Sequence, residues 1–242
     1  MAPAPKHSHA EEQQLILDAA IRCIETSSIM DFTMSSLAKE AGLSMGSIYK
    51  HIRTKEDVMV ALATEMYKQQ YTTFEKILNL PMPFPVRLIC LQMTNEASAC
   101  CYEFGGQLDM LVGNEAFLKR ASQDWLEKMM SADIAVEDLV SQSLLDAVDN
   151  GELAAKPEKI DALVEEILLG KWSMCVGFIQ VARQRATRHL VGKGVDIPFP
   201  LDVEDAIVQS MKRLLNTYPW AETVTDQAIQ AGCEMLVEHG LR

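Results

Sequence analysis

Apolar residues recur at spacings of three and four from Glu11 onward, which is the pattern of one buried helix face. Six residues form this first stripe: Leu15, Ile16, Ala19, Ala20, Cys23 and Ile24. Ser27 and Ser28 interrupt the pattern and predict the end of the helix. Residues 1–10 show no such periodicity, and their prolines and histidines predict a flexible tail.

Two short helices follow, and each has a polar residue that can cap its N terminus. Thr33 precedes a helix over 34–41, which Gly42 ends because glycine readily adopts the left-handed conformation found after helices. Ser44 precedes a second short helix over 45–51. Two short helices joined by a tight turn that contains glycine predict a helix-turn-helix.

Thr54 precedes a long helix that runs to about Leu80, where three alternate prolines interrupt it. Beyond this break the spacing of three and four continues, with glycine, asparagine and proline between the segments. The further predicted helices lie at 84–103, 107–119, 122–149, 157–190, 202–217 and 221–239. Because no segment alternates apolar and polar residues with period two, the pattern predicts an all-α fold.

The composition is that of a folded globular chain, with 48% apolar and 23% charged residues. A formal net charge of -12 argues at first against nucleic acid, because phosphate binding needs lysine and arginine. The charge is uneven, however. Residues 33–55 contain four basic residues and one acidic residue, a local net charge of +3 that leaves -15 for the rest. The basic residues cluster around the end of the second short helix, where DNA phosphates would run.

No part of the sequence predicts export or insertion into a membrane. The first residues lack the apolar region of a signal peptide, and the longest apolar stretch, Ile167 to Ala182, is shorter than the roughly 20 residues that span a bilayer. We therefore expect a cytoplasmic protein that does not bind membranes. The six cysteines include no Cys-x-x-Cys pair, so we expect free thiols, no metal site and no cofactor.

Four short motifs occur together around the helix-turn-helix: Phe-Thr before its first helix, Ala-x-x-Ala-Gly at the turn, Ser-x-Gly-x-x-Tyr-x-His in the second helix, and a lysine at the next helix start. Their residues are Phe32, Thr33, Ala38, Ala41, Gly42, Ser44, Gly46, Tyr49, His51 and Lys55. This set strongly resembles the DNA-binding domain of TetR-family transcriptional regulators. The resemblance covers about 50 residues and implies a larger helical domain that binds an inducer and forms a homodimer.

The resemblance implies DNA-binding roles for ten residues: Thr33, Ser35, Ser44, Met45, Gly46, Ser47, Tyr49, Lys50, His51 and Lys55. Ser44 to Ser47 open the recognition helix and would approach base edges in the major groove. Tyr49 and His51 resemble phosphate contacts of the family, and Lys55 would meet a phosphate together with backbone N–H groups. Met45 stands where the family often has a polar or basic residue, which suggests an apolar contact to a thymine methyl group.

The predicted organisation is an N-terminal three-helix helix-turn-helix domain plus a larger helical ligand-binding and dimerisation domain. We expect the flexible tail over 1–10, the DNA-binding domain over 11–56 and the larger domain over 57–242. By resemblance, the helix over 157–190 and a later helix form a four-helix bundle with a second copy. A two-fold dimer would present two recognition helices to a palindromic operator.

A ligand pocket is less well defined by the sequence than the DNA-binding motif. Apolar residues at helical spacing belong more often to a core than to a pocket, although methionine is common at adaptable sites. The candidates are Met93, Phe104, Met110, Phe117, Trp125, Met129, Trp172, Cys175 and Phe178. The acidic composition of the larger domain favours an apolar or cationic ligand over an anion.

These observations predict a DNA-binding transcriptional regulator, a repressor that a small ligand releases from its operator. A first alternative is a DNA-binding protein of the same fold that acts through a protein partner without a small-molecule inducer. A second is an enzyme with an accessory helix-turn-helix. The chain has no nucleophile elbow, phosphate-binding glycine loop or zinc-protease motif, so we expect no catalytic residues.

Overall fold

The computed structural model describes residues 8–95, 98, 101–195 and 199–242. In these residues it has eleven α-helices and no strand, which confirms the predicted all-α fold. No helix of this part is long and apolar enough to cross a membrane. In chain order the helices are α1 His9–Thr26, α2 Met34–Ala41, α3 Met45–His51, α4 Lys55–Leu78, α5 Phe84–Cys90, α6 Gly105–Val112, α7 Glu115–Leu118, α8 Gln123–Asp149, α9 Ile160–Ala186, α10 Ala206–Leu215 and α11 Asp226–Glu238.

Helix α1 begins two residues earlier than the sequence pattern predicts. Ser8 and Glu11 form a capping box: the Ser8 backbone N–H donates to the Glu11 carboxylate at 2.7 Å, and the Glu11 N–H donates to the Ser8 hydroxyl at 3.3 Å. His9 and the residue after it therefore belong to the helix rather than to the predicted tail over 1–10. Residues 1–7 of that tail lie outside the described residues.

Four of the later helices are shorter than predicted, and two of them are α10, Ala206–Leu215 against the predicted 202–217, and α11, Asp226–Glu238 against the predicted 221–239. The segment predicted over 84–103 begins as α5, which ends at Cys90, and residues 96, 97, 99 and 100 of it lie outside the described residues. The N–H groups of Gln92 and Met93 bond to carbonyls only three residues back, the tighter pattern in which α-helices commonly end. The segment predicted over 157–190 consists of α9 with a short 3₁₀ helix on either side.

The helix predicted over 107–119 is divided into α6 and α7. The Oδ1 atom of Asn114 accepts hydrogen bonds from the N–H groups of Ala116 at 2.9 Å and Phe117 at 3.2 Å. Asparagine in this position caps a new helix, because it satisfies N–H groups that have no partner inside the helix. The side chain of one residue therefore ends the continuous helix that apolar spacing alone predicts.

The described residues form two compact units. The first unit comprises residues 8–68 and 101–134, and the second comprises 69–95, 98, 135–195 and 199–242. The predicted division after residue 56 differs from this arrangement. Residues Val58 to Met66 of α4 and side chains from α6 and the start of α8 lie in the same apolar cluster as α1, α2 and α3. The core of the first unit thus draws on two distant stretches of sequence.

The second unit has its own core, in which α5 and α11 pack closely. Phe84, Ile89 and Cys90 of α5 are buried in it together with Ile229 and Leu236 of α11. Burial raises the pKa of the Cys90 thiol to about 12, so this side chain stays protonated and acts as an apolar packing group.

Gly232 of α11 is a point at which this packing leaves no room for a side chain. A Cβ atom there would lie 2.8 Å from Sγ of Cys90 and 3.1 Å from Cγ1 of Val86. We expect Gly232→Ala to lower the free energy of unfolding by about 1–2 kcal/mol, because overpacking outweighs the better helix propensity of alanine. Urea denaturation followed by circular dichroism measures this change.

Gly113→Ala is the matched control, because its nearest new contact would be an ordinary 3.4 Å to a backbone oxygen. Equal stability of the two variants would show that the contact between α5 and α11 adapts to a methyl group.

Candidate nucleic-acid interface

The turn between α2 and α3 is built by local hydrogen bonds. At the start of α2, the Ser36 N–H donates to the Thr33 hydroxyl at 3.0 Å, and the Thr33 N–H donates to the Ser36 hydroxyl at 3.0 Å. At its end, Gly42 has a φ of 66° and donates its N–H to the carbonyls of Ala38 and Lys39. This left-handed conformation favours glycine and turns the chain directly toward α3.

Helix α3 has one buried face and one exposed face. Ile48 is fully buried, as is Ile52 directly after the helix. On the other side Met45, Lys50 and Tyr49 are exposed, and Tyr49 keeps 49% of its surface accessible. This exposed face has polar, apolar and cationic groups side by side, which suits contact with base edges and phosphates.

Ser44 and Gly46, at the start of α3, are small as well as exposed. Ser44 caps the helix, since its hydroxyl accepts a hydrogen bond from the Ser47 N–H at 3.1 Å. Gly46 is exposed, and a Cβ atom there would meet only the Ser44 hydroxyl at 3.7 Å. The protein itself therefore does not require glycine at this position, whereas a surface that approaches the backbone would.

Seven of the ten predicted DNA-binding residues are exposed: Thr33, Ser35, Ser44, Met45, Gly46, Tyr49 and Lys50. Ser47, His51 and Lys55 are half-buried as whole residues. The hydroxyls of Thr33 and Ser44 act as helix caps in addition. Their exposure is compatible with the DNA contacts that the resemblance implies for them.

His51 is placed differently from the phosphate contact that the resemblance implies. Its side chain is 1% exposed, and its Nε2 lies 2.9 Å from a carboxylate oxygen of Glu12 on α1. Its ring also packs against that of His9, with 4.2 Å between centroids. The last turn of α3 directs this side chain toward α1 rather than outward, so His51 joins α3 to α1.

Lys55, the first residue of α4, has contacts within the chain. Its Nζ donates to the Met30 carbonyl at 2.6 Å and lies 4.5 Å from the centroid of the Phe32 ring. An ammonium group has three N–H donors, so this bond leaves others for a phosphate. Lys55 therefore secures the loop before α2 while it keeps a positive charge at this surface.

The surface around α2 and α3 is more positive than the count of charged residues over 33–55 suggests. Lys39, Lys50 and Arg53 are exposed. The only acid among residues 33–55, Glu40, accepts a hydrogen bond from Arg22 of α1 at 2.6 Å, and this bond raises the pKa of the Arg22 guanidinium. Because a cation offsets the charge of Glu40, the surface around α2 and α3 keeps its positive character.

Asp57 is a positioning residue that the sequence did not single out. It is completely buried, and its carboxylate accepts hydrogen bonds from the N–H groups of Arg53 at 2.9 Å, Thr54 at 3.2 Å and Ser122 at 2.6 Å. The first two bonds hold the link between α3 and α4, and the third holds the start of α8. The spacing Thr54-x-x-Asp57 is a capping-box signal, whereas the bond to Ser122 has no local signal.

The predicted ligand residues do not come together at one place. Phe104, Met110, Phe117, Trp125 and Met129 belong to the first unit, and Met93, Trp172, Cys175 and Phe178 belong to the second. Trp125 and Met129 are buried in the first core, where the indole N–H of Trp125 donates to the His51 carbonyl at 3.1 Å. Their role there is to support α3, because long-range packing rather than helical spacing decides what an apolar side chain contacts.

Comparisons with known proteins agree with this geometry. Residues 16–62 match the family model described as bacterial regulatory proteins, tetR family. Solved structures with similar folds include a protein of unknown function from Rhodococcus sp. RHA1 (TM-score 0.59, 16% identity, covering 90% of this chain and 100% of that one). Salmonella enterica GusR has a TM-score of 0.53 and 15% identity, over 88% of this chain and 98% of that one. The reduced form of E. coli NemR has a TM-score of 0.52 and 14% identity, over 88% of this chain and 100% of that one. No curated protein sequence matches significantly. At these identities the structural likeness shows the fold.

We expect Asp57→Asn to lower the free energy of unfolding by about 1.5–3 kcal/mol, because the amide removes an acceptor and places a donor opposite buried N–H groups. Urea denaturation monitored by tryptophan fluorescence measures the change. Asp138→Asn, which makes the same chemical change at an exposed site on α8, is the control. If both variants unfolded at the same urea concentration, the carboxylate would not be what secures these segments.

Proposed function

Residues 16–62 are a DNA-binding domain of the TetR family, and on this premise we propose that the chain is a sequence-specific transcriptional regulator that acts as a repressor. The observation that supports this most directly is the exposed face of α3, which follows a tight glycine turn and lies among positive charges. A regulator in this proposal acts in the cytoplasm, on double-stranded DNA.

We propose that the first turn of α3 lies in the major groove of DNA. Met45 and Ser47 would contact base edges, and Gly46 would let the backbone approach them. Tyr49 and Lys50 would contact phosphates at the side of the groove, with Thr33, Ser35 and Lys55 adding further phosphate contacts. His51 is left out of this set because its ring is buried against α1.

We propose that the regulator is a homodimer that binds a palindromic operator. Leu169, Trp172 and Val176 are exposed on α9 at spacings of three and four, so they form one apolar face of that helix. Gly177 of the same helix has open space around it, whereas Gly170 packs against Tyr218 and Leu214 of its own chain. A second copy that covers this face would supply the two-fold symmetry that a palindrome requires.

We propose that a small molecule with an apolar body regulates DNA binding from the second unit. The effector would act through α4, whose residues 55–68 belong to the first unit and 69–78 to the second. It can shift the protein between two arrangements only if it binds one of them more tightly than the other. The acidic composition of the larger domain favours an apolar or cationic effector over an anion.

Selection of bound sequences from a random DNA library tests the proposal directly. We expect the full chain to enrich a palindrome with two half-sites about one helical turn apart. Gly46→Ala should bind the selected sequence about tenfold more weakly or worse, because the added methyl group keeps the backbone from the bases. The same variant should be as stable as the parent or up to about 1 kcal/mol more stable.

Titrations at constant salt with a labelled duplex measure the affinities, and Gly113→Ala controls for a methyl group placed elsewhere. Failure to enrich any sequence would contradict sequence-specific binding. Wild-type affinity of Gly46→Ala would show that the start of α3 does not approach the bases.

Trp172→Glu tests the dimer. Trp172 is 43% exposed on the apolar face of α9, and a carboxylate in a dry interface is costly. We expect the variant to be monomeric in light scattering at concentrations where the parent is dimeric, with weaker operator binding. Met130→Glu changes an exposed apolar residue of α8 in the first unit and should stay dimeric. A dimeric Trp172→Glu would exclude this face as the interface.

A further inference from the structure

The outer face of α9 follows a heptad pattern. Its positions recur at alternating spacings of four and three, which is the spacing of helices that pair along their length. Four of these residues are exposed and two are half-buried; they are Glu165, Leu169, Trp172 and Val176, then Ile179 and Arg183. A second stripe of the helix, with Ile167 and Cys175, is buried in the core of the second unit. One side of α9 therefore packs within its own chain, and the other has the pattern of a helix that packs on a partner helix.

The two ends of this face have opposite charges. Glu165 and Arg183 lie about 27 Å apart along the helix axis, at a rise of about 1.5 Å per residue. Within the described part of the chain, neither side chain forms an ion pair within 4.0 Å. The helix dipole favours acids in the first turn and bases in the last, but Glu165 lies in the second turn of α9. The dipole therefore does not account for a glutamate on the apolar face.

A second copy in the antiparallel direction complements this face, whereas a parallel copy does not. In a parallel pair, Glu165 would lie opposite Glu165 and Arg183 opposite Arg183. In an antiparallel pair with the two-fold axis at the height of Met174, every residue of the face lies opposite a suitable partner. The pairs are Glu165 with Arg183, Leu169 with Ile179, and Trp172 with Val176 of the partner subunit. All three pairs are centred on Met174, so a single alignment satisfies them together.

We propose that α9 pairs antiparallel with α9 of a second copy in this alignment, and that ion pairs between Glu165 and Arg183 of the partner subunit select it. The inference rests on the proposed homodimer and adds the direction and alignment of its subunits. Heptad spacing over residues 165–183 implies a shallow crossing of about 20°, so the two axes stay close over the whole face.

The apolar and the charged pairs have different roles in this dimer. Burial of Leu169, Trp172 and Val176 supplies most of the stability, because ion pairs near a surface contribute little. The charged pairs exclude other alignments. A slip of one heptad would place Glu165 opposite Val176 of the partner subunit, and a carboxylate without a cation in an interface is unfavourable.

Charge reversal tests the alignment. Glu165→Lys and Arg183→Glu should each weaken dimerisation about tenfold or more, because each change turns two attractive pairs per dimer into repulsive ones. The double variant Glu165→Lys/Arg183→Glu should dimerise within about threefold of the wild type, because both pairs are restored with reversed polarity. The two residues are too far apart in one helix to pair with each other, so the rescue must occur between copies. Sedimentation velocity of the fluorescently labelled full chain measures the Kd.

Arg185→Glu is the matched control, since it makes the same charge change at an exposed residue of the same turn. Arg185 lies about 200° around the helix from Arg183, away from the proposed interface. Arg185→Glu alone should leave the Kd within about twofold of the wild type, and Glu165→Lys/Arg185→Glu should dimerise as weakly as Glu165→Lys. Salt at about 1 M should reduce the effect of each single reversal, because it screens exposed charges.

Unchanged dimerisation in both single variants, or equal rescue by Arg183→Glu and Arg185→Glu, would overturn the proposed alignment. Trp172→Glu separates this failure from that of the dimer itself. If Trp172→Glu were monomeric but the double variant showed no rescue, the face would stand and the alignment would be refuted. If the wild type were monomeric, or Trp172→Glu dimeric, both would be refuted. These measurements use the protein without DNA, so they are independent of the operator selection.

Discussion

The carboxylate of Asp57 is the interaction on which the first unit depends. Its two oxygens accept three backbone N–H groups, two from the link between α3 and α4 and one from Ser122 at the start of α8. A carboxylate that is fully buried is stable only with such donors, and here the donors belong to segments that are far apart in sequence. The direction in which the chain leaves α3, and with it the orientation of the exposed face of that helix, therefore depends on Ser122, the residue before α8.

Features of the fold with local causes could be predicted from the sequence. Thr33, Gly42 and Ser44 determine the ends of α2 and α3 through bonds to residues no more than five positions away, so the sequence shows both cause and effect. The bond between Asp57 and Ser122 joins residues 65 positions apart, and no pattern in the sequence indicates that they are in contact. For the same reason the burial of His51 against α1, and of Trp125 beneath α3, could not be inferred from helical spacing.

Net charge is a weak guide to the candidate DNA-binding surface of this protein. The chain as a whole has a formal charge of -12, yet the surface around α2 and α3 is positive and its one acid is paired with Arg22. The chemistry of this surface follows from the few charges that are close to it.

The core of the first unit is shared between residues 8–68 and 101–134, and this has a consequence for the history of the chain. A gene segment that encodes only α1 to α4 would produce a helix-turn-helix without Ser122, Trp125 and Met129, three residues that complete its support and its core. Recombination could not exchange such a segment freely between relatives. The residues that face DNA can diverge one at a time, whereas those beneath them must change together with a stretch encoded well downstream.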